Sequence, residues 1–321
     1  MAERAVSGPP IRVGVSACLL GAAVRYDGGH KRDRYLTDVL GRYFEWVPVC
    51  PEVEVGMGTP RPAIRLVRGD PGVRLVEPKV GRDWTRAMEA YARKRVRALA
   101  ALDLCGYVLK SASPSCGMER VKVWGDGMPE KSGTGVFAAE LQRQLPTLPI
   151  EEEGRLHDAR LRENWIERVF AYHRLRTLFA GRLSRGKLVA FHTAHKLQLL
   201  AHSETHYRVL GRLVAEAKGV PDAELRARYA AGFMAALAKP ATPRRHANVL
   251  QHALGHLRGR VDRQVSRELQ AGIEDYARGL VPLVVPLTML RHYVKRAEVA
   301  YLAGQLYLDP HPKELMLRNQ V

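Results

Sequence analysis

Three short apolar runs in the first half of this 321-residue chain each lead into a cysteine, and that pattern narrows the folds open to it. Residues 11–17 (IRVGVSA) stop at Cys18, residues 46–49 stop at Cys50, and residues 104–109 lead into Lys110-Ser111-Ala112-Ser113-Pro114-Ser115-Cys116-Gly117. Short apolar runs bounded by turn formers read as buried strands. Between them, residues 35–44 and 83–102 carry helical periodicity, 55–62 form a Gly/Pro-rich loop, and 63–67 with 73–76 read as a hairpin. A helix near 136–144 and a strand near 148–151 complete the series. Strand and helix in alternation predict an α/β layer, Rossmann-like, with a mainly parallel sheet. In such sheets ligands bind beyond the carboxyl ends of the strands. Cys18, Cys50 and Cys116 fall at those ends. Cys105 lies inside its run instead, where a thiol packs as a small hydrophobe. Pro114 fixes φ near −65° and pushes Ser113 out of the helical region, so the Cys116 turn is stiff.

From about residue 157 helical patterns replace strands: 160–179, 188–202, 205–217, 222–237, 244–257, 263–277 and 282–302. The second half is therefore expected to be an all-α domain, with the boundary in Glu151-Glu152-Glu153-Gly154, which gives domains 1–152 and 153–321. Residues 1–10 carry no signal-peptide pattern, and no run of about 18 apolar residues follows, so the expectation is a cytoplasmic protein without a membrane segment. In a reducing compartment the four cysteines serve packing, catalysis or metal binding rather than disulfides. The formal charge of +18 is spread over both halves, +7 for residues 1–150 and +11 for 151–321. Such a surplus attracts phosphate and other anions.

The spacings Cys18 to Cys50 and Cys50 to Cys116 match no compact zinc or ferredoxin pattern. A parallel sheet nevertheless sets these loops side by side, and three thiolates suit zinc or an iron–sulfur cluster with one position left open. Their company is polar: Glu52 follows Cys50, Tyr26 and Asp27 follow Cys18, and Ser113 and Ser115 precede Cys116. These are acceptors and donors for a reaction, with Glu52 the candidate for proton transfer, Ser113 and Ser115 for holding a substrate or water, and Asp27 for orientation or for the turn before Gly28-Gly29.

The segments Val15-Ser16-Ala17-Cys18-Leu19-Leu20-Gly21, Val24-Arg25-Tyr26-Asp27-Gly28-Gly29, Cys50-Pro51-Glu52, Gly56-Met57-Gly58-Thr59-Pro60-Arg61, Leu109-Lys110-Ser111 and Ser113-Pro114-Ser115-Cys116-Gly117 resemble those of the thiouracil desulfurase family, over about residues 10–150. The resemblance implies a [4Fe–4S] cluster held by Cys18, Cys50 and Cys116, with one iron open to the sulfur of a thiolated base or nucleotide. It also implies non-redox conversion of a 2-thiouracil-like pyrimidine to the oxo base and sulfide.

Eleven of the twelve histidines lie after residue 150. His192 and His195, His202 and His206, and Asn248, His252 and His256 share helix faces. No carboxylate completes a metal signature such as HExxH. The expectation is capping or hydrogen-bonded interior histidines, and the basic neighbours Lys196, Arg244, Arg245 and Arg258 suit an anion better than a cation. Phe191-His192-Thr193-Ala194-His195-Lys196-Leu197, Asn248-Val249-Leu250-Gln251-His252 and the segment from Pro310 to Asn319 resemble the YbgA-like helical domain, which carries no settled activity. The competing reading is a nucleic-acid-associated protein with a structural metal or cluster site and a basic helical binding domain. The missing fourth cysteine favours the enzyme, because a structural cluster is normally fully ligated.

Overall fold

The computed structural model describes residues 10–70 and 72–321. The stretch at 1–10, where no signal-peptide pattern was read, lies outside the described residues apart from Pro10. Chain contacts divide the protein into two compact units, one ending at His157 and one running from Asp158 to Val321.

The first unit is built on β1 (Ile11–Ser16), whose apolar side chains are buried. A 3₁₀ turn, Ala17–Leu20, follows it directly. The helix expected at 35–44 is instead a π-helical turn, Tyr35–Val39, and a 3₁₀ turn, Leu40–Arg42. Phe44 ends that segment because it already belongs to β2 (Phe44–Val49). Then come α1 (Pro51–Glu54), β3 (Arg65–Gly69), β4 (Gly72–Glu77), the short β5 (Arg82–Asp83) and α2 (Thr85–Ala100). Met88, Ala92, Val96 and Leu99 form one buried stripe on α2, the spacing of a helix laid on a sheet. β6 (Gly106–Leu109), β7 (Val121–Trp124), β8 (Glu130–Gly133), α3 (Val136–Gln144) and β9 (Ile150–Glu152) complete the unit.

β2, β1, β6 and β9 form a fully parallel sheet in that order. The chain adds β2 on one side of β1 and β6 on the other, so the strand order reverses at β1, the place where such sheets bind ligands. Gly14 makes this packing possible: a Cβ there would lie 2.2 Å from the ring of the fully buried Tyr107 on β6. A second sheet, ordered β5-β4-β3-β7-β8, holds the expected β3–β4 hairpin. Its other three strands were not anticipated: β5 is two residues long, β7 four, and β8 is short, polar and largely exposed.

The second unit is helical: α4 (Ala159–Phe179), α5 (Arg185–Ala194), α6 (Lys196–His202), α7 (Glu204–Ala215), α8 (Asp222–Leu237), α9 (Pro243–Gly255), α10 (Arg263–Ala277), α11 (Val284–Arg296) and the one-turn α12 (Ala300–Ala303). Two helices expected to be continuous are broken. The 188–202 stretch divides at His195, whose Nδ1 bonds the Phe191 carbonyl at 2.7 Å. The groups freed there are taken up by Gln305, which accepts from Leu197 N at 3.2 Å and donates to Thr193 O at 2.8 Å, and by Leu306 N on Ala194 O. The 282–302 stretch stops at Arg296, near Glu298, which has φ of 49°. No helix among the described residues is long and apolar enough to cross a membrane.

Candidate active site

The carboxyl ends of β1, β2 and β6 open onto one cavity of about 350 Å³. Cys18 stands in the turn after β1, Cys50 is the residue that starts α1, and Cys116 follows β6 by one loop. All three line the cavity, as do Glu52 and Ser113. Cys105 precedes β6, is buried, and sends its N–H to Arg12 O, so it sits at the opposite end of the sheet.

The Cys116 turn is fixed from within and from outside. Ser113 Oγ accepts the N–H groups of Ser115 (3.2 Å) and Cys116 (3.1 Å), an arrangement that holds the turn closed. Outside it, the first turn of α3 donates Val136 N to Pro114 O and Phe137 N to Ser115 O. Gly135 permits that contact, since a Cβ there would come within 2.5 Å of the Ser115 backbone.

Ser113 Oγ also donates to Glu52 Oε1 at 3.4 Å, and the other carboxylate oxygen of Glu52 takes Arg61 Nε at 3.1 Å together with Arg61 Nη2. The guanidinium of Arg61 is nearly fully buried, and its Nη1 bonds Val24 O (3.0 Å) and Gly58 O (2.9 Å). One cation thus holds the carboxylate and ties together the loops after β1 and β2. On the far side Lys110 Nζ pairs with Glu153, whose carboxylate also takes Ser111 N (2.7 Å) and Ser111 Oγ (2.8 Å). The N–H of Lys110 reaches Ser16 Oγ at 2.9 Å, which joins β1 to the same wall.

Burial, then the neighbouring Cys50, pushes the Cys18 thiol up to about 11, against the opposing pull of Lys110 and Arg25. Burial also raises Cys50, and burial followed by the charge of Glu52 raises Cys116 well above the ordinary thiol value. Cys116 feels both Cys18 and Cys50, so the three sulfurs form one electrostatic group. Any soft metal taken up there displaces their protons. Among the described residues, no three His, Cys, Asp and Glu side chains are grouped closely enough to hold a single metal ion. Three thiols that feel one another's charge line a cavity that Lys110 and Arg25 also line, a soft donor set beside cations that offset thiolate charge.

Two residues singled out in the sequence stand apart. Asp27 is exposed and does not line the cavity; its carboxylate accepts Gly29 N at 3.0 Å, which lowers its pKa and closes the local turn. Ser115 is fully buried, its Oγ without a hydrogen-bond partner among the described residues, and it too lies off the cavity wall. Arg61, Lys110, Ser16 and Glu153 were not assigned roles, although Arg61, Lys110 and Ser16 lie within the quoted motifs.

In the helical unit His192, His195, His202 and His246 are buried and hydrogen-bonded, whereas His252 and His256 are exposed. His202 Nδ1 bonds Lys239 O at 2.7 Å, and its Nε2 stands 3.4 Å from the buried Glu167. His246 Nδ1 bonds Tyr307 Oη at 2.9 Å. The closing segment is anchored by Arg318, which bonds Glu163 Oε1 at 3.1 Å and the Tyr307 carbonyl at 2.6 Å.

Residues 13–153 match the 2-thiouracil desulfurase family, and residues 196–312 match a family of proteins of unknown function, DUF1722. The uncharacterized protein YbgA of Escherichia coli (strain K12) is 36% identical over 161 residues, which is 50% of this chain and 95% of that protein. The uncharacterized protein YbbK of Bacillus subtilis (strain 168) is 28% identical over 134 residues, 40% of this chain and 88% of its own length. A solved structure of a [4Fe-4S]-dependent thiouracil desulfidase, TudS, is 31% identical, with 46% of this chain and 94% of that one covered and a TM-score of 0.39. The chain belongs to the YbgA family, and in one polypeptide it also carries an N-terminal region that matches the 2-thiouracil desulfurase family.

Proposed function

We propose that the N-terminal unit removes sulfur from a thiolated pyrimidine such as 2-thiouracil, giving the oxo base and sulfide, with a [4Fe–4S] cluster held by Cys18, Cys50 and Cys116. The observation that carries this reading is the convergence of three strand-end thiols and the Glu52–Ser113 pair on one cavity, within the stretch that matches the desulfurase family. When bound, the cluster supplies a thiophilic Lewis-acidic iron that polarises a carbon–sulfur bond.

Exchange of sulfur for oxygen requires a water to lose a proton as it attacks the thiocarbonyl carbon. Glu52 is the proton acceptor, because its carboxylate faces the cavity and Arg61 holds it from behind. Ser113 keeps Glu52 and the Cys116 turn in a fixed relation, so the base and the sulfur ligand move as one piece. The cavity is large enough for a single pyrimidine ring beside a bound group. Glu153 neutralises Lys110 at the rim and Asp27 stands 3.4 Å from Arg25, leaving Lys31 as a further cation on the wall.

The test is anaerobic. Reconstituted protein is supplied with 2-thiouracil, and uracil and sulfide are measured together in wild type and Glu52→Gln. Equimolar uracil and sulfide from the wild type, with loss of about 100-fold or more in the variant, is the expected result. An undiminished rate in Glu52→Gln overturns the assignment of the base, and a wild type that releases no sulfide from any thiolated pyrimidine overturns the function.

A further inference from the structure

The helical unit carries a groove that the desulfuration chemistry leaves unused. It lies between α5 and α7, has a volume of about 580 Å³, and is walled by Lys196, Arg208, Arg212, Tyr207 and the apolar Val189 and Val214. No carboxylate lines it. Arg208 reaches Glu204 one turn back on α7, while Lys196 and Arg212 have no carboxylate partner among the described residues. Two unneutralised cations on one concave wall favour an anion.

The floor is more specific than the rim. His192 is 3% exposed and lines the groove, yet its Nε2 has no hydrogen-bond partner among the described residues. Leaving a buried polar nitrogen unpaired costs about 1–3 kcal/mol, so a donor or acceptor held in this position is unfinished without something in the groove. The other ring nitrogen settles which it is. Nδ1 lies 3.1 Å from Tyr229 Oη. Burial raises the Tyr229 pKa, so the phenol keeps its proton, and among the described residues that proton has no other acceptor. Tyr229 therefore donates to Nδ1, and the ring proton of the neutral imidazole sits on Nε2. Burial and Lys196 lower the His192 pKa to about 4, which keeps the ring neutral. The groove floor is a fixed N–H donor, and its rim is cationic.

Gly211 completes the shape. It sits in the interior of α7, where glycine costs about 0.5–1 kcal/mol relative to alanine, and it lines the groove. A Cβ at this position would meet only His192 Nε2, at an ordinary 3.8 Å. Nothing within 4 Å forbids alanine there; what alanine would do is cover the free donor of the groove floor.

We propose that the groove between α5 and α7 binds a small phosphate monoester bearing a planar ring, a nucleoside monophosphate in chemical class, with the phosphate held by His192 Nε2–H, Lys196 and Arg212 and the ring against Tyr207. Charge-assisted bonds to guanidinium and ammonium are the strong contacts for phosphate. The tyrosine and valines supply the apolar wall that a base requires.

The test uses the full chain in calorimetric titrations with uridine 5′-monophosphate, inorganic phosphate, uridine and a single-stranded oligonucleotide. Saturable binding of the monophosphate is expected, with uridine weaker by about tenfold or more and inorganic phosphate weaker than the monophosphate. Lys196→Glu combined with Arg212→Glu lowers affinity by about tenfold or more. Gly211→Ala raises the melting temperature of the helical unit while weakening binding, a pairing that a purely structural glycine does not produce. Turnover of free 2-thiouracil stays at the wild-type rate in both variants. The proposal is overturned if the monophosphate fails to bind, if its affinity is unchanged in either variant, or if only the oligonucleotide binds.

Discussion

Arg61→Ala strikes the element that holds the base of the candidate site. The side chain is 4% exposed and makes five contacts: two to Glu52, and one each to Val24 O, Gly58 O and Thr59 Oγ1. Its removal strands the Glu52 carboxylate in a largely buried position and leaves two carbonyls of the tied loops without that donor. Losing one partner of a buried ion pair costs about 3–5 kcal/mol. Glu52 keeps 15% exposure on the cavity side, which places the expected loss near the lower end, about 3 kcal/mol. For a unit of this size each kcal/mol moves the midpoint by roughly 2–4 °C, so the N-terminal transition falls by about 6–12 °C. Scanning calorimetry of anaerobic protein reads this, with the helical unit as the internal control. Arg61→Lys keeps the charge but not the fork and falls between the two. If Arg61→Ala melts within about 2 °C of wild type, Arg61 does not hold the site together, and the account of Glu52 positioning is refuted.

Replacing Cys18, Cys50 or Cys116 by alanine lowers iron and acid-labile sulfide per chain after anaerobic reconstitution, whereas Cys105→Ala does not; elemental analysis on the four variants separates them. Ser113→Ala removes the acceptor for two turn N–H groups and the donor to Glu52, so it lowers both stability, by about 1–3 kcal/mol, and uracil formation. Asp27→Asn leaves turnover at the wild-type level, since the carboxylate is exposed and off the cavity wall, where it bonds Gly29 N and stands 3.4 Å from Arg25 Nε. Burial, then Arg318, depresses the His246 pKa to about 3. A pKa lowered on folding contributes stability that is complete above the unfolded value of about 6.5 and is lost as pH falls from there toward 3. Wild type therefore loses up to about 1.4 kcal/mol per pH unit relative to His246→Gln below pH 6.5; denaturant titrations at pH 7, 6 and 5 that give parallel losses would contradict this.

The architecture of the first half was legible because two signals agreed. Apolar runs stopped at turn formers, and stretches with helical period lay between them, so a parallel sheet was the economical solution. Its carboxyl ends then had to share a face. That is why Cys18, Cys50, Cys116, Glu52 and Ser113 meet without any sequence proximity. Ser115 and Asp27 failed to join them for local reasons. The backbone of the Cys116 turn points Ser115 inward toward α3, and Asp27 closes on Gly29 two residues away. In the helical half, periodicity found the helices but not the break at His195, because that break depends on Gln305 and Leu306, more than 100 residues further along the chain.

Charge partners are the least legible feature, and the Lys110–Glu153 pair indicates why. Read as sequence, Glu151-Glu152-Glu153-Gly154 is a polar boundary. In the fold β9 runs parallel to β6 with Tyr107 opposite Ile150, Val108 opposite Glu151 and Leu109 opposite Glu152. One step further, that register brings Lys110 and Glu153 level, and the carboxylate takes the ammonium, Ser111 N and Ser111 Oγ at once. Glu152, one residue earlier, points to the other face and takes Met118 N at 2.7 Å. A one-residue slip of β9 would exchange the two faces. The apparent linker is thus the fourth strand of the site, and its pairing register, which no local pattern encodes, decides which of three consecutive glutamates neutralises the lysine at the cavity rim.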